Sequence, residues 1–270
     1  MAPLNAKQYP SKILLFGEYL VLHGGYALAI PYFDYALFLA PPNPYANKKF
    51  YHKFYKYLLS NTTLNNRISP QFIEDIERGL HFDSSIPVGY GLGSSGALTA
   101  AIYDIYILKK SETLSDIKHD LAEIESFFHD KSSGVDPLTS FIQKPILIEN
   151  ETIQLIENVS LKNFVLYDSQ IKRNAKQAIT HFNILRQNHS FRIGLEELTT
   201  LSNFMVSQWV QNKDIAEELK LYSEKQLLLF RDFIPESVQK DWKKGLESNS
   251  YYMKLCGAGM GGFYLKWNVE

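Results

Sequence analysis

A glycine-rich loop that leads directly into an apolar segment is the part of this sequence best suited to binding a charged ligand. The loop lies in residues 87–101, PVGYGLGSSGALTAA, and residues 97–110 contain no glycine or proline. Glycines allow a close approach of backbone to ligand, and a helix start offers free N–H groups and a positive dipole end. We predict a buried helix here, with Ser94 and Ser95 as N-cap residues and an anion site for nucleotide phosphates at its start.

Other interpretations of the same loop are weaker. The spacing Gly91-Leu-Gly-Ser-Ser-Gly96 matches a dinucleotide fingerprint, but residues 83–90 make a poor central strand and Glu112, the acid at suitable spacing, lies in a polar run. A Walker A loop needs a lysine before the Ser/Thr, and a nucleophile elbow needs glycine where Ala97 stands. A tight turn before a core helix, with no ligand, remains the simplest alternative to a phosphate site.

Four charged residues lie within or next to apolar segments at other places in the chain. Phosphoryl transfer needs a phosphate-binding loop, a divalent cation, a positive charge and a group that orients or deprotonates the nucleophile. Lys12 could supply the positive charge and Asp136 could accept a proton, while a serine hydroxyl and a carboxylate are suitable Mg²⁺ ligands. Glu18 and Glu125 are the other two charges. Each alone is usually a solvated charge, and their co-occurrence with the loop favours a functional site.

The composition limits the class of protein. The chain has 270 residues, 45% of them hydrophobic, and a net charge of −1, so we expect no nucleic-acid partner and no membrane partner. Its single cysteine, Cys256, excludes an intrachain disulfide and a cysteine-cluster metal site. The first ten residues lack the apolar core of a signal peptide, and no apolar run reaches membrane-spanning length. The expected localisation is cytoplasmic.

The order of predicted elements favours an α+β fold, because strands and helices mix without a regular βαβ alternation. Residues 256–262 form a second glycine-rich loop, and residues 129–137 form a polar loop. The predicted strands cover residues 12–16, 19–22, 26–30, 35–40, 145–148, 164–167, 251–255 and 262–267. The predicted helices cover residues 50–59, 70–80, 97–110, 111–128, 174–187, 191–211, 214–233 and 236–247.

Three segments in the right order resemble the motifs of the GHMP-superfamily small-molecule kinases. The first is residues 10–29, PSKILLFGEYLVLHGGYALA, and the third is residues 254–262, KLCGAGMGG. The second, residues 87–97, is close to the pattern P-x-x-x-G-L-G-S-S-A-A. Within the superfamily, residues 125–136 resemble the E-x-x-x-H-G-x-P-S-G-x-D segment of the mevalonate kinases, and residues 167–174 resemble another segment of that family.

The resemblance implies a two-domain GHMP kinase fold, a ribosomal-protein-S5-like domain over residues 1–158 and a ferredoxin-like domain over 159–270. It also implies ATP and Mg²⁺. By carry-over, Asp136 would be the catalytic base with Lys12 beside the reacting hydroxyl, and Ser95 and Glu125 would hold the metal. Residues near the substrate would be Glu18, Tyr19 and His23. The implied ATP and phosphate contacts are Gly91, Leu92, Gly93, Ser94, Ser95, Gly96, Gly257, Ala258 and Gly259.

The activity implied is ATP-dependent phosphorylation of the primary hydroxyl of mevalonate, a small-molecule substrate. A phosphomevalonate kinase or another GHMP sugar or alcohol kinase is the alternative, because Tyr19 replaces the usual histidine and G-E-Y also resembles phosphomevalonate kinases. Residues 129–132 and Met260 also depart from the usual pattern. A regulator that binds nucleotide without turnover is a rival of another class, and the resemblance leaves a homodimer open.

Overall fold

The structure, a computed structural model, describes residues 7–129, 131–150, 152–157, 159, 161 and 163–269. Asp130, in the predicted polar loop, and Asn158, at the predicted domain boundary, lie outside the described residues, as do residues 1–6. The described part contains both helices and strands, and the predicted α+β class is confirmed. None of its helices combines the length and apolar character needed to cross a membrane.

The described residues begin and end with strands, and both helices and further strands lie between them. The strands are β1 (Gln8–Phe16), β2 (Ala27–Ala40), β3 (His81–Ser84), β4 (Ile146–Glu149), β5 (Thr152–Leu155), β6 (Phe164–Asp168), β7 (Tyr251–Leu255) and β8 (Phe263–Asn268). The helices are α1 (Lys48–Ser60), α2 (Gln71–Arg78), α3 (Ser94–Tyr106), α4 (Leu114–Glu125), α5 (Val135–Ile142), α6 (Ala175–Leu185), α7 (His189–Trp209), α8 (Ala216–Leu229) and α9 (Glu236–Ser248). Short 3-10 helices cover Leu20–His23, Asn65–Arg67 and Arg231–Phe233.

The strands form two sheets. One has the order β1-β2-β4-β5, with β3 also pairing with β2, and the other is an antiparallel sheet of order β6-β8-β7. The chain divides into two compact units, each discontinuous in sequence. The first unit comprises residues 1–12, 30–87 and 93–144, and the second comprises residues 13–29, 88–92 and 145–270. The predicted domain boundary at residue 158 stays a prediction.

The core of the first unit is built around α3, which is buried on nearly every side as its Ala-rich sequence predicts. Ala97, Ala100, Ala101 and Ile102 have no exposed surface. Helix α4 buries Ile117, Leu121 and Ile124, recurring at steps of three and four, and its N-cap Thr113 accepts a hydrogen bond from the N–H of Asp116. Helices α4 and α5 both pack on α3, and this places their polar residues near its first turn.

The second unit combines the three-stranded sheet with helices from the second half of the chain. Strand β7 packs against α8 and α9, and the side chains of Trp242, Tyr222 and Tyr264 are fully buried there. The hydroxyl of Ser223 accepts a hydrogen bond from the Trp242 indole at 2.7 Å, which satisfies the one polar group of that side chain. The strands predicted at residues 251–255 and 262–267 are confirmed.

Several predictions of local structure are wrong. Residues 20–23 form a 3-10 helix and not a strand, and the strands predicted at residues 26–30 and 35–40 are one strand, β2. Strand β5 falls in the polar stretch after β4, where no strand was predicted. Helix α3 ends at Tyr106 and not at residue 110, and the main chain of Ile107 instead forms a bridge with Ile68.

Candidate active site

The first unit brings Lys12 and Asp136 together. Lys12 lies in the middle of β1 and its side chain is 7% exposed, whereas the Asp136 side chain is 32% exposed. The Lys12 ammonium lies 3.2 Å from Asp136 Oδ1. A buried lysine beside a partly exposed carboxylate provides a fixed positive charge next to a group that solvent or a ligand can reach.

Asp136 occupies the first turn of α5, and the polar loop predicted over residues 129–137 is therefore too long. Gly134 is the N-cap of α5 and has φ +71°, a left-handed conformation that glycine adopts without strain. Pro137 needs no N–H partner in the first turn of a helix. The carboxylate of Asp136 interacts favourably with the positive end of the helix dipole.

The first unit also brings together Ser95 and Glu125, the two predicted metal ligands. Ser95 Oγ lies 3.1 Å from Glu125 Oε1 and 3.3 Å from Nε2 of His129. Glu125 is the last residue of α4 and is 5% exposed. Its second carboxylate oxygen accepts a hydrogen bond from the Ser132 hydroxyl, which itself accepts one from the N–H of Gly134 at 3.0 Å.

The electrostatics of this group favour a bound cation. Burial, together with repulsion by Asp136, raises the pKa of Glu125 to about 7, while the Ser132 and Ser95 hydroxyls and Lys12 act in the opposite direction. The carboxylates of Glu125 and Asp136 therefore both interact with a single positive charge, that of Lys12. The oxygen donors of Ser95 and Glu125 suit Mg²⁺, whose remaining ligands usually come from water and phosphate. The residues present fit the ion, and the described part of the chain holds no cluster of three His, Cys, Asp or Glu.

The glycine loop enters α3 differently from the prediction. Gly93, at φ +74°, is the N-cap and offers no side-chain cap, so Ser94 and Ser95 are the first residues of the helix and not its N-cap. Because Gly93 provides no side-chain cap, the first N–H groups of α3 are suited to binding an anionic ligand. Gly93 to Gly96 belong to the first unit, and Gly91 and the buried Leu92 belong to the second.

The second unit holds the other glycine-rich loop, residues 256–262, and fixes it through Tyr19. The Tyr19 hydroxyl donates a hydrogen bond to the carbonyl of Ala258 at 2.7 Å. Its ring stacks on Phe182, with centroids 4.4 Å apart, and on Phe230 at 5.3 Å. Gly257 and Gly259 flank Ala258 at φ +95° and +73°, which confines these positions to residues that tolerate the left-handed region.

The other two predicted substrate residues differ in exposure. The Glu18 carboxylate has no exposed surface and lies 2.5 Å from the equally buried ammonium of Lys254. His23 is exposed and its ring packs edge-on against Phe182. Burial lowers the pKa of His23. Glu18 is thus placed as a buried ion-pair partner within the second unit.

Three residues near the predicted site were missed by the sequence analysis. Ser132 has no sequence signal, because its contact with Glu125 depends on the path of the loop after α4. Lys172 and Arg173 lie in the kinase-like segment 167–174, which was the available signal. A Cβ atom built on Gly91 would come within 2.7 Å of the Arg173 guanidinium, and one on Gly89 within 2.9 Å of the Lys172 side chain.

A comparison with known protein families finds one match in this sequence. Residues 53–143 match the family model described as GHMP kinases N terminal domain. No curated protein matches the chain. The match includes Ser95, Glu125 and Asp136 but covers less than half of the sequence.

Solved structures of GHMP kinases are similar over nearly the full chain. The Methanococcus jannaschii mevalonate kinase has a TM-score of 0.65 at 18% identity, with 99% of this chain and 92% of that chain covered. The L. major mevalonate kinase in complex with R-mevalonate has a TM-score of 0.65 at 16% identity, covering 99% and 88%. The Streptococcus pneumoniae phosphomevalonate kinase has a TM-score of 0.58 at 16% identity, covering 98% and 91%.

At these identities the structural likeness establishes the fold. The chain has the GHMP kinase fold, which confirms the predicted fold, and residues 53–143 match the GHMP kinase N-terminal domain. The domain match and the kinases among the similar structures support a kinase.

Proposed function

We propose that this protein transfers the γ-phosphoryl group of ATP to the primary hydroxyl of mevalonate. The observation that carries the proposal is the Lys12–Asp136 pair at 3.2 Å, in the same unit as the Ser95–Glu125 pair at the start of α3. A carboxylate next to a buried ammonium can accept a proton from an alcohol while the lysine stabilises the developing alkoxide.

In the proposed reaction, Asp136 accepts the proton of the substrate hydroxyl and Lys12 stabilises the negative charge that develops on its oxygen. The oxygen forms a bond to the γ-phosphorus, the bond from that phosphorus to the bridging oxygen breaks, and ADP leaves with the electron pair. Mg²⁺, held by Ser95 and Glu125, would neutralise charge on the phosphates. The free N–H groups at the start of α3 would bind phosphate oxygens.

Positive charge in the second unit supports binding of an anionic ligand. The Arg173 guanidinium borders Gly91 and Gly257, two of the residues for which phosphate contacts are predicted. Lys172 lies next to Gly89, and the N–H of Arg173 donates to the Gly89 carbonyl at 3.1 Å. Two successive cations on this segment would suit an anionic group such as a phosphate.

Mevalonate is the preferred substrate because of the resemblance of residues 125–136 and the likeness to mevalonate kinases, one of them in complex with R-mevalonate. The second candidate is 5-phosphomevalonate. It is favoured by Tyr19, which stands in place of the usual histidine and directs its hydroxyl to the Ala258 carbonyl. The likeness to a phosphomevalonate kinase also keeps this candidate.

The test is ADP release from Mg-ATP with mevalonate, 5-phosphomevalonate and galactose in parallel reactions. We expect release with mevalonate and none above background with the other two. Release only with 5-phosphomevalonate would replace the substrate and keep the mechanism. Release with none of a broad panel of alcohols, despite ATP binding, would contradict the kinase activity and favour a nucleotide-binding regulator.

A further inference from the structure

We propose that Gly93 and Gly96 act as positioning residues for Asp136, forming a glycine seat that sets the place of the carboxylate beside Lys12. This role goes beyond the phosphate contacts predicted for the loop. It rests on the proposed function only for its catalytic consequence, because the packing itself lies entirely within the first unit.

The packing at Gly96 is the tighter part of the glycine seat. A Cβ atom on Gly96 would lie 2.9 Å from Asp136 Cβ, 2.9 Å from the nitrogen of Pro137 and 3.0 Å from the Asp136 carbonyl carbon. Two of these three neighbours are backbone atoms of the first turn of α5. A side chain here cannot be accommodated by a rotamer change and would displace that turn.

Gly93 is the other residue of the glycine seat, and it lies beside the Asp136 carboxylate. A Cβ atom on Gly93 would lie 3.1 Å from Lys12 Cγ and 3.4 Å from Asp136 Oδ2. The two glycines are three residues apart at the start of α3, and both are bordered by Asp136. The absence of a side chain at Gly96 therefore lets Asp136 approach α3, and its absence at Gly93 leaves space for the Lys12 side chain beside Asp136.

This arrangement distinguishes the chain from the motif that it resembles, in which alanine stands at position 96. Because the first turn of α5 fills the space of that missing methyl group, the first turns of α3 and α5 pack directly against each other. A shift of the turn would lengthen the 3.2 Å contact between Lys12 and Asp136. Displacement of a catalytic group by about 1 Å can reduce turnover by about 100-fold.

A double-mutant cycle tests the inference. We expect Gly96→Ala to reduce kcat by roughly 10- to 100-fold with KM for ATP changed by less than about twofold. In an Asp136→Asn background, the same substitution should change kcat by less than about twofold, because the contribution of the base is already lost. Equal reductions in both backgrounds, or a rise confined to KM for ATP, would assign Gly96 to phosphate binding and overturn the inference.

The second readout does not depend on activity. A crystal structure of Gly96→Ala should show Asp136 moved away from α3 and from Lys12, and an unmoved Asp136 would overturn the inference.

Gly194→Ala in α7 is the matched control, since its Cβ atom would meet only the flexible end of Leu229 at 2.8 Å, and we expect wild-type kinetics. If Gly96→Ala does not fold, Gly93→Asn is measured in the same cycle and the same crystallographic comparison, with the same criteria, because asparagine tolerates the left-handed conformation at φ +74°. If the wild type phosphorylates no alcohol, the proposed function fails and the position of Asp136 alone decides the glycine seat.

Discussion

The proposed chemistry depends on three charges in the first unit. Glu125 and Asp136 carry two negative charges when ionised, and Lys12 supplies one positive charge. The excess of negative charge favours a bound cation. The position of each carboxylate depends on the groups that hydrogen-bond to it. Two serine hydroxyls hold Glu125, one on each carboxylate oxygen.

Ser132 should therefore affect metal binding. We expect Ser132→Ala to raise the Mg²⁺ concentration needed for half-maximal binding of Mg-ADP by several-fold, because Glu125 loses a hydrogen bond to a charged group, typically worth about 1.5–3 kcal/mol. Thermal shifts with ADP over a Mg²⁺ series measure this without turnover. Ser132→Thr, which keeps the hydroxyl, should restore binding.

The neighbouring serine provides the control for this experiment. Ser133 is exposed and its hydroxyl accepts a hydrogen bond from the N–H of Val135 at 3.4 Å. Ser133→Ala should keep the wild-type dependence on Mg²⁺. Identical Mg²⁺ curves for both alanine variants would show that Ser132 does not support Glu125.

The sequence motifs predicted which residues lie together in the candidate site. They did not predict the hydrogen bonds and the packing that position those residues. The Lys12–Asp136 and Ser95–Glu125 contacts join residues 124 and 30 positions apart, and the motif resemblance was enough to group them. Ser132 and the glycine seat were not predictable, because they depend on the loop path after α4 and on the distance between two helix starts. The N-cap prediction at Ser94 and Ser95 failed because Gly93 makes the turn into the helix.

At the level of elements, local backbone conformation overrode apolar pattern in the segment after β1. Residues 19–22 have the composition of a strand, but Gly17 and Tyr19 have φ +113° and +61°, which turns the chain into a 3-10 helix. Pro31 lies in the stretch that joins the two predicted strands into β2. It is tolerated within β2 because it lies between the part that pairs with β4 and the part that pairs with β3.

The conformation at Tyr19 determines what its side chain can do. Its ring is enclosed by Phe182 and Phe230, and its hydroxyl is used by the loop at residues 256–262. We expect Tyr19→Phe to destabilise the protein by about 1 kcal/mol and to raise KM for ATP a few-fold, with KM for the alcohol unchanged. Steady-state kinetics in both substrates measure the two constants.

Tyr45→Phe is the control for this variant, because Tyr45 is 93% exposed and the substitution should leave both constants unchanged. A change in KM for the alcohol alone in Tyr19→Phe would contradict the loop-fixing role. It would support the substrate contact that the sequence predicted for Tyr19.

For the molecule as a whole, Glu125 links stability to pH in the absence of metal. The folded-state pKa of about 7 is above the ordinary glutamate value of 4.5, so the folded protein binds this proton more tightly than the unfolded chain does. The stabilisation by neutral Glu125 is fully present below about pH 4.5 and is lost as the pH rises through about 7. Its full size is at most about 3 kcal/mol.

Glu125→Gln should therefore be more stable than the wild type above pH 7 without Mg²⁺, with the difference shrinking below pH 5. Unfolding in urea at several pH values measures the free energies. Added Mg²⁺ should stabilise the wild type more than the variant. A stability difference that does not change with pH would contradict the raised pKa.

The central claim is phosphoryl transfer to a primary alcohol with Asp136 as the base, and its most direct test is phosphorus NMR of the product. After incubation with Mg-ATP and mevalonate, we predict a new phosphomonoester signal coupled to the protons of the terminal CH₂ group. Asp136→Asn should bind ATP normally and form this product roughly 100- to 10,000-fold more slowly. Formation of inorganic phosphate alone, or a phosphomonoester formed equally fast by Asp136→Asn, would contradict the account.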